Sequence, residues 1–326
     1  MIPHNQSQPI DLIPKKISKM SKLIVAYIPE HFSTPMFLAD EQGYYKEEGL
    51  EIEFFPVIEG SGRLIKLLNE GAVDIAVGLT EAFVADISKG NKLYSVIGTY
   101  VESPLCWAIS TGKDRSDINS ASDLAGKRIG VSRIGSGSYV MSFVLGLQNK
   151  FPTPYFSDFK ILHNFQNLRD SVNLKYKDEA GEQIDSEAFM WEHFTLKKFY
   201  DSGEIKRIGE IYTPWPSWVV TANQNVHELK KAQLSAFLRA VKKGVAYFLL
   251  HQDEAVKHIS THLSYSAEDA REWLKTVKFN EEIGTKPIDW QTVVENTAEV
   301  LKTAGVIPDE NIVAKRLKLQ VVSLVN

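Results

Sequence analysis

The chain has 326 residues, 44% of them hydrophobic and 24% charged, with a formal net charge of −4. That length is too great for one ordinary core and suits two lobes of about 100–200 residues. The slight acidity leaves no basic footprint for nucleic acid, and the single cysteine, Cys106, excludes an internal disulfide and a cysteine-rich zinc cluster.

Residues 1–20 are polar and rich in Pro and Lys, and read as a disordered leader or tag ahead of a natural start at Met20. They hold no apolar run of signal-peptide length, and no stretch of the chain approaches the ~18–20 apolar residues that span a bilayer. The expectation is a cytoplasmic protein as the sequence stands, or an extracytoplasmic one if a native leader has been removed.

Residues 22–28 form a short, β-branched apolar run and read as a buried strand. Ser33 and Thr34 offer N-caps, with Pro35 in the first turn of a helix. A second strand is expected over 50–58, a helix over 63–69 after Gly60-Ser61-Gly62, and a third strand over 73–77. This β-α-β-α-β run is the pattern of a parallel sheet with right-handed crossovers. A helix over 80–89 and strands over 93–100 and 105–110 follow. The polar stretch 111–122 then suggests a lobe junction. A second α/β unit has a strand over 128–132, a helix opened by Gly135-Ser136-Gly137-Ser138, and a strand over 159–165. Residues 173–187 read as a loop or hairpin, and a helix should end near 200. Two strand-like pieces flank Thr213-Pro214-Trp215-Pro216. The tail from 226 is mostly helical, with a capping box at Ser266–Asp269. His258 and His262, four apart, read as a solvated surface pair, and no metal site is expected from histidine spacing.

Five segments in register carry a resemblance. They are Tyr27-Ile28-Pro29; Gly43-Tyr44-Tyr45-Lys46-Glu47-Glu48-Gly49-Leu50; Gly60-Ser61-Gly62; Gly71-Ala72-Val73-Asp74-Ile75; and Asp123-Leu124-Ala125-Gly126-Lys127-Arg128-Ile129-Gly130-Val131. Over 22–145 the chain resembles the type II periplasmic-binding-protein superfamily. This includes the sulfonate-, taurine- and thiamine-pyrimidine-binding proteins and the thiamine-pyrimidine synthases. The resemblance implies an α/β fold of two lobes with a ligand cleft between them, closing about a hinge, in a monomer. The implied lobes are 21–110 with 219–326, and 111–218, with crossings near 107–113 and 213–218.

Ligands of open α/β sheets sit beyond the carboxyl ends of strands, where helix N-termini also point. Candidate ligand residues are therefore Glu30 and His31 after the first strand, Ser61 and Gly62, and Thr80 and Glu81 after the third. In the second lobe they are Gly135, Ser136, Gly137, Ser138 and Tyr139, with Arg133 strengthening the local field if it turns inward. Trp191 and Glu192 stand where the resemblance places a Trp-Glu-Pro-like motif, His193 replacing the proline. Trp107, Trp215 and Trp218 fall at the implied crossings as hinge or cleft wall.

The synthases of this fold need an active-site lysine after the third strand and a cysteine-rich metal segment. Here Gly78-Leu79-Thr80 occupies the first and one cysteine cannot make the second. The expected function is non-catalytic binding of a small anionic or heteroaromatic molecule, with no catalytic residue, cofactor or metal. The alternatives are a thiamine-precursor enzyme on the same fold and a ligand sensor that presents a surface to a partner protein.

Overall fold

The computed structural model describes residues 20–325, so the leader expected over 1–20 lies, except for its last residue, outside the described residues. The first lobe begins with β1 (Ser21–Tyr27), α1 (Thr34–Glu41), α2 (Tyr44–Glu47) and β2 (Leu50–Pro56). It continues with α3 (Ser61–Asn69), β3 (Ile75–Leu79), α4 (Thr80–Ser88) and β4 (Tyr94–Val101). β1 is buried on both faces at Leu23, Val25 and Ala26, as a strand with helices on either side requires.

The second lobe holds β5 (Cys106–Gly112), β6 (Arg128–Val131), α5 (Gly137–Gln148), β7 (Asp158–Ile161), α6 (Phe165–Val172), β8 (Ala188–Glu192), α7 (His193–Asp201) and β9 (Ile205–Tyr212). The chain then returns through β10 (Trp218–Asn223) to α8 (Gln224–Leu229), α9 (Lys231–Leu250), α10 (Gln252–His262), α11 (Ala267–Leu274), a π-helical turn at Trp290–Glu295, α12 (Asn296–Thr303) and α13 (Asn311–Gln320).

Two five-stranded sheets result, in the orders β2-β1-β3-β10-β4 and β7-β6-β8-β5-β9. Each contains one strand antiparallel to its neighbours, and in each that strand is the one delivered by a crossing. β10 inserts between β3 and β4, and β5 between β8 and β9. This is the two-lobed α/β architecture that the resemblance implied.

The first crossing is residues 102–105, not 107–113, and the boundary expected at 110 falls inside β5. The physical reason is that polarity marks exposure. Residues 113–120 form a surface connection from β5 to β6, whereas the true crossing is short and packed against its partner. Thr213 N–H donates to Leu105 O at 3.1 Å, Leu105 N–H to Thr213 Oγ1 at 2.9 Å, and Ser217 Oγ to Ser103 O at 2.7 Å.

The C-terminal helices pack on the first sheet. α9 lies against α1 so closely that a Cβ on Gly244 would meet Pro35 O at 2.3 Å. Val321 bridges to Val96 and covers the open edge at β4. His258 is not solvated: its ring stacks on Phe37 at 5.6 Å and sits 3.1 Å from Glu41. Among the described residues no helix is long and apolar enough to cross a membrane.

Candidate functional site

The cleft between the lobes collects the carboxyl ends of strands from both sheets. The loop after β1 supplies Ile28 and Glu30, the end of β3 supplies Leu79, and the cap and first residue of α3 are Gly60 and Ser61. From the second lobe come Trp107 on β5, Ser132 and Arg133 after β6, the Ser136–Ser138 turn, and Trp191 and Glu192 at the end of β8. With Trp218 these line a cavity of about 80 Å³, smaller than the roughly 300–1,000 Å³ of a small-molecule site, so the lobes must part to admit a ligand.

The Gly135–Ser138 turn is built as its sequence suggests. Gly135 adopts φ +80°, which a side chain would oppose. Ser136 caps α5 by accepting from Tyr139 N–H at 3.3 Å, and its Oγ lies 3.0 Å from Ser138 Oγ. Both serines are buried and line the cleft. Gly137 is needed for packing, because a Cβ there would come within 2.6 Å of the Trp107 ring.

Arg133 reaches across the cleft. Its guanidinium covers Gly62, where a Cβ would meet it at 2.5 Å, and Nη1 lies 3.4 Å from Glu59 O. The sequence signal for it was its place two residues before the glycine-serine turn. Nothing local marked Leu105, Ile28 or Ile58, which become lining residues only through tertiary contact.

Several expected site residues lie elsewhere. His31 is buried in a cage of Phe32, Tyr265 and Trp273, with ring centroids 4.3–4.6 Å away, behind Glu192 rather than in the cleft. Its Nε2 is 3.7 Å from Glu192 Oε1 and both ring nitrogens lack a hydrogen-bond partner. Burial holds its pKa well below the ordinary value, so the ring is neutral.

Thr80 is fully buried and donates from Oγ1 to Pro216 O at 2.6 Å, which ties α4 to the returning crossing. Glu81 accepts from Trp215 Nε1 at 2.9 Å through Oε2. Its Oε1 has no partner and would lie 3.2 Å from a Cβ on Gly137, so it faces the start of α5. Trp215 is therefore a hinge residue behind the wall. Tyr139 turns into the second lobe onto Phe143 and Phe159. Helical geometry decides this, since side chains one and three residues into a helix point in different directions.

The indoles differ in their support. Trp191 stacks on Phe165 at 4.8 Å with its other side toward the cleft lining. Trp107 and Trp218 are buried, and neither Nε1 has a hydrogen-bond partner among the described residues. Buried donors are normally paired, so two such donors in one lining favour a ligand that accepts hydrogen bonds.

The carboxyls are charge-poor. Burial, aided by the neighbouring Glu192, pushes Glu30 up to about 8. Burial likewise raises Glu192 to about 7, against three hydrogen bonds from Phe194 and Thr195 that favour its charged form. Glu81 is raised to about 7 for the same reason. Against these stands one cation in the lining, Arg133. The site can thus present carboxyl acceptors to an amine on one side and hydroxyls, a helix N-terminus and a guanidinium to an anion on the other.

Comparison with known proteins agrees with this fold. A family model described as "Ca3427-like PBP" matches residues 107–211. A solved structure of the Candida albicans CA3427 gene product, which defines a family with the generic periplasmic-binding-protein fold, is 56% identical. The match covers 93% of this chain and 96% of that one, with a TM-score of 0.87. A 4-amino-5-hydroxymethyl-2-methylpyrimidine phosphate synthase of Legionella pneumophila is 25% identical over 72% of this chain and 70% of its own. A formylaminopyrimidine-binding protein of Halalkalibacterium halodurans is 22% identical over 74% and 70%.

Proposed function

Because this chain belongs to the family defined by the Candida albicans CA3427 gene product, with its periplasmic-binding-protein fold, we propose that it binds a small, flat nitrogen heterocycle in its cleft without transforming it. The ligand class is an amino-substituted pyrimidine. The observation that carries this reading is one lining that combines Trp107, Trp191 and Trp218 with the Glu30 and Glu192 carboxyls. Aromatic faces suit a flat ring, a carboxyl accepts from an exocyclic amine, and the unpartnered indole N–H groups donate to ring nitrogens or substituent oxygens. Ser136, Ser138 and Arg133 suit a hydroxyl or phosphate at the other end. The names of both bacterial relatives contain an amino-substituted pyrimidine, which supports the class.

Titration calorimetry tests the reading with 4-amino-5-hydroxymethyl-2-methylpyrimidine, its phosphate and an aliphatic sulfonate. The pyrimidines should bind and the sulfonate should not. Ser136→Ala with Ser138→Ala should weaken binding of the phosphate roughly tenfold or more, since charge-assisted hydrogen bonds contribute about 1.5–3 kcal/mol each, while the fold is retained at a cost of about 0.5–2 kcal/mol for the lost cap of α5. Trp191→Ala should weaken both pyrimidines. Preference for the sulfonate, or wild-type affinity in the double serine variant, would overturn it.

A further inference from the structure

We propose that Cys106, His193 and Glu210 form a binding site for one zinc-class transition-metal ion, with an open fourth position facing a cavity between the lobes. These residues are far apart in sequence and share no metal-binding motif, but one ligand atom from each lies within 4.8 Å of the other two. The strand register explains why. β5 pairs Cys106 with Tyr212 and Ala108 with Glu210, so Cys106 and Glu210 are diagonal neighbours on one face of the sheet. On the other side of β5, Trp107 pairs with Glu192. The next residue, His193, therefore turns to the Cys106 face while Trp107 and Glu192 serve the cleft.

Cys106 Sγ is 3.6 Å from Glu210 Oε2. His193 Nδ1 is buried and has no hydrogen-bond partner, which is the second sign that a partner is missing here. Tyr212 Oη donates to Glu210 Oε1 at 3.3 Å and would orient the carboxylate from behind.

The donor set points to the metal class. A sulfur, an imidazole nitrogen and a carboxylate oxygen suit zinc, whereas calcium and magnesium take oxygen donors. Three protein ligands leave a tetrahedral ion one position for water or a small molecule. That position faces a cavity of about 330 Å³ whose first-lobe wall includes Phe32, Trp273 and Thr276. Glu192 lines both this cavity and the ligand cleft. On coordination the Cys106 thiol gives its proton to solvent. Arg207, which ion-pairs with Glu210 Oε2, must swing away, so it opposes the metal.

The site does not depend on the pyrimidine reading of the cleft. It is tested on the untagged full chain, stripped with chelator, by zinc titration calorimetry and by cobalt absorption spectra. One equivalent of each metal should bind, and cobalt should show a thiolate-to-metal charge-transfer band. Cys106→Ser should abolish that band, and His193→Ala and Glu210→Gln should each weaken zinc at least tenfold. Arg207→Gln should tighten zinc binding, which a general loss of folding cannot do. The proposal is overturned if the cobalt band is absent, if His193→Ala and Glu210→Gln bind as the parent does, or if Arg207→Gln binds no more tightly than the parent.

Discussion

Glu30, Glu81 and Glu192 are three acids held near neutrality by burial, and they give the protein a pH response of definite sign. Each binds its proton more tightly in the folded chain than in the unfolded one, where the ordinary value is 4.5. Stability should therefore be full below about pH 4.5 as far as these groups are concerned. It should fall as pH rises through about 7 for Glu81 and Glu192 and about 8 for Glu30. Glu30→Gln should remove its share, on the order of 4 kcal/mol at pH 8 from about 1.4 kcal/mol per pH unit between 4.5 and 8, and raise the melting temperature there. Denaturation scans of the parent and Glu30→Gln from pH 5 to 9 check this, and a difference between their midpoints that does not grow in favour of Glu30→Gln as pH rises would count against it. The sequence indicated that Glu30, Glu81 and Glu192 end or follow strands. It carried no sign that their charges would be suppressed, because desolvation comes from atoms distant in the chain.

At the level of elements, the strand-turn-helix unit from β6 through α5 was the most legible part of the site. Its glycines, cap serine and apolar helix face are all local signals. Its tolerance is set by a neighbour. Gly137→Val should drive the Trp107 ring out of place, at a cost of roughly 1–3 kcal/mol in overpacking, and weaken the ligand more than the double serine change does. Parent-like affinity and melting temperature in Gly137→Val would show that the indole has room to move.

Elsewhere local signals misled. Residues 159–165 read as one strand, yet β7 ends at Ile161, His163 takes φ +68°, and Asn164 caps α6 by accepting from Asn167 N–H at 2.9 Å. The apolar Phe165 extended the strand-like run and masked the cap. β8 is only five residues long, and its place between β6 and β5 is a long-range fact.

For the whole molecule, the lobes meet through the paired crossings and through Arg133 lying over Gly62. Removing the guanidinium should leave the hinge intact but weaken closure. Small-angle scattering of Arg133→Ala should show a larger radius of gyration than the parent without ligand, and a smaller difference with an aminopyrimidine bound. Superimposable curves would mean closure does not rest on this contact. The binding-without-turnover reading has its own check. The resemblance puts Thr80, held by Pro216 O, at the position of the synthase lysine, so pyridoxal phosphate with borohydride should leave no stoichiometric adduct within the cleft by peptide mapping, above the background at surface lysines. A stoichiometric adduct at a cleft residue would argue for the enzymatic alternative.

By itself the sequence determined most of the strand and helix order of the first lobe, the α/β character of both lobes, and the turn that opens α5. Each follows from periodicity, caps and glycine placement within a few residues. Only the tertiary structure decided that β5 belongs to the second sheet, that His31 and Tyr139 leave the cleft while Arg133 enters it, and that Cys106, His193 and Glu210 converge. Those outcomes depend on which strands pair and which face each side chain takes. Alternation within one strand specifies two faces, but only the neighbouring strands and helices make one of them the wall of a site.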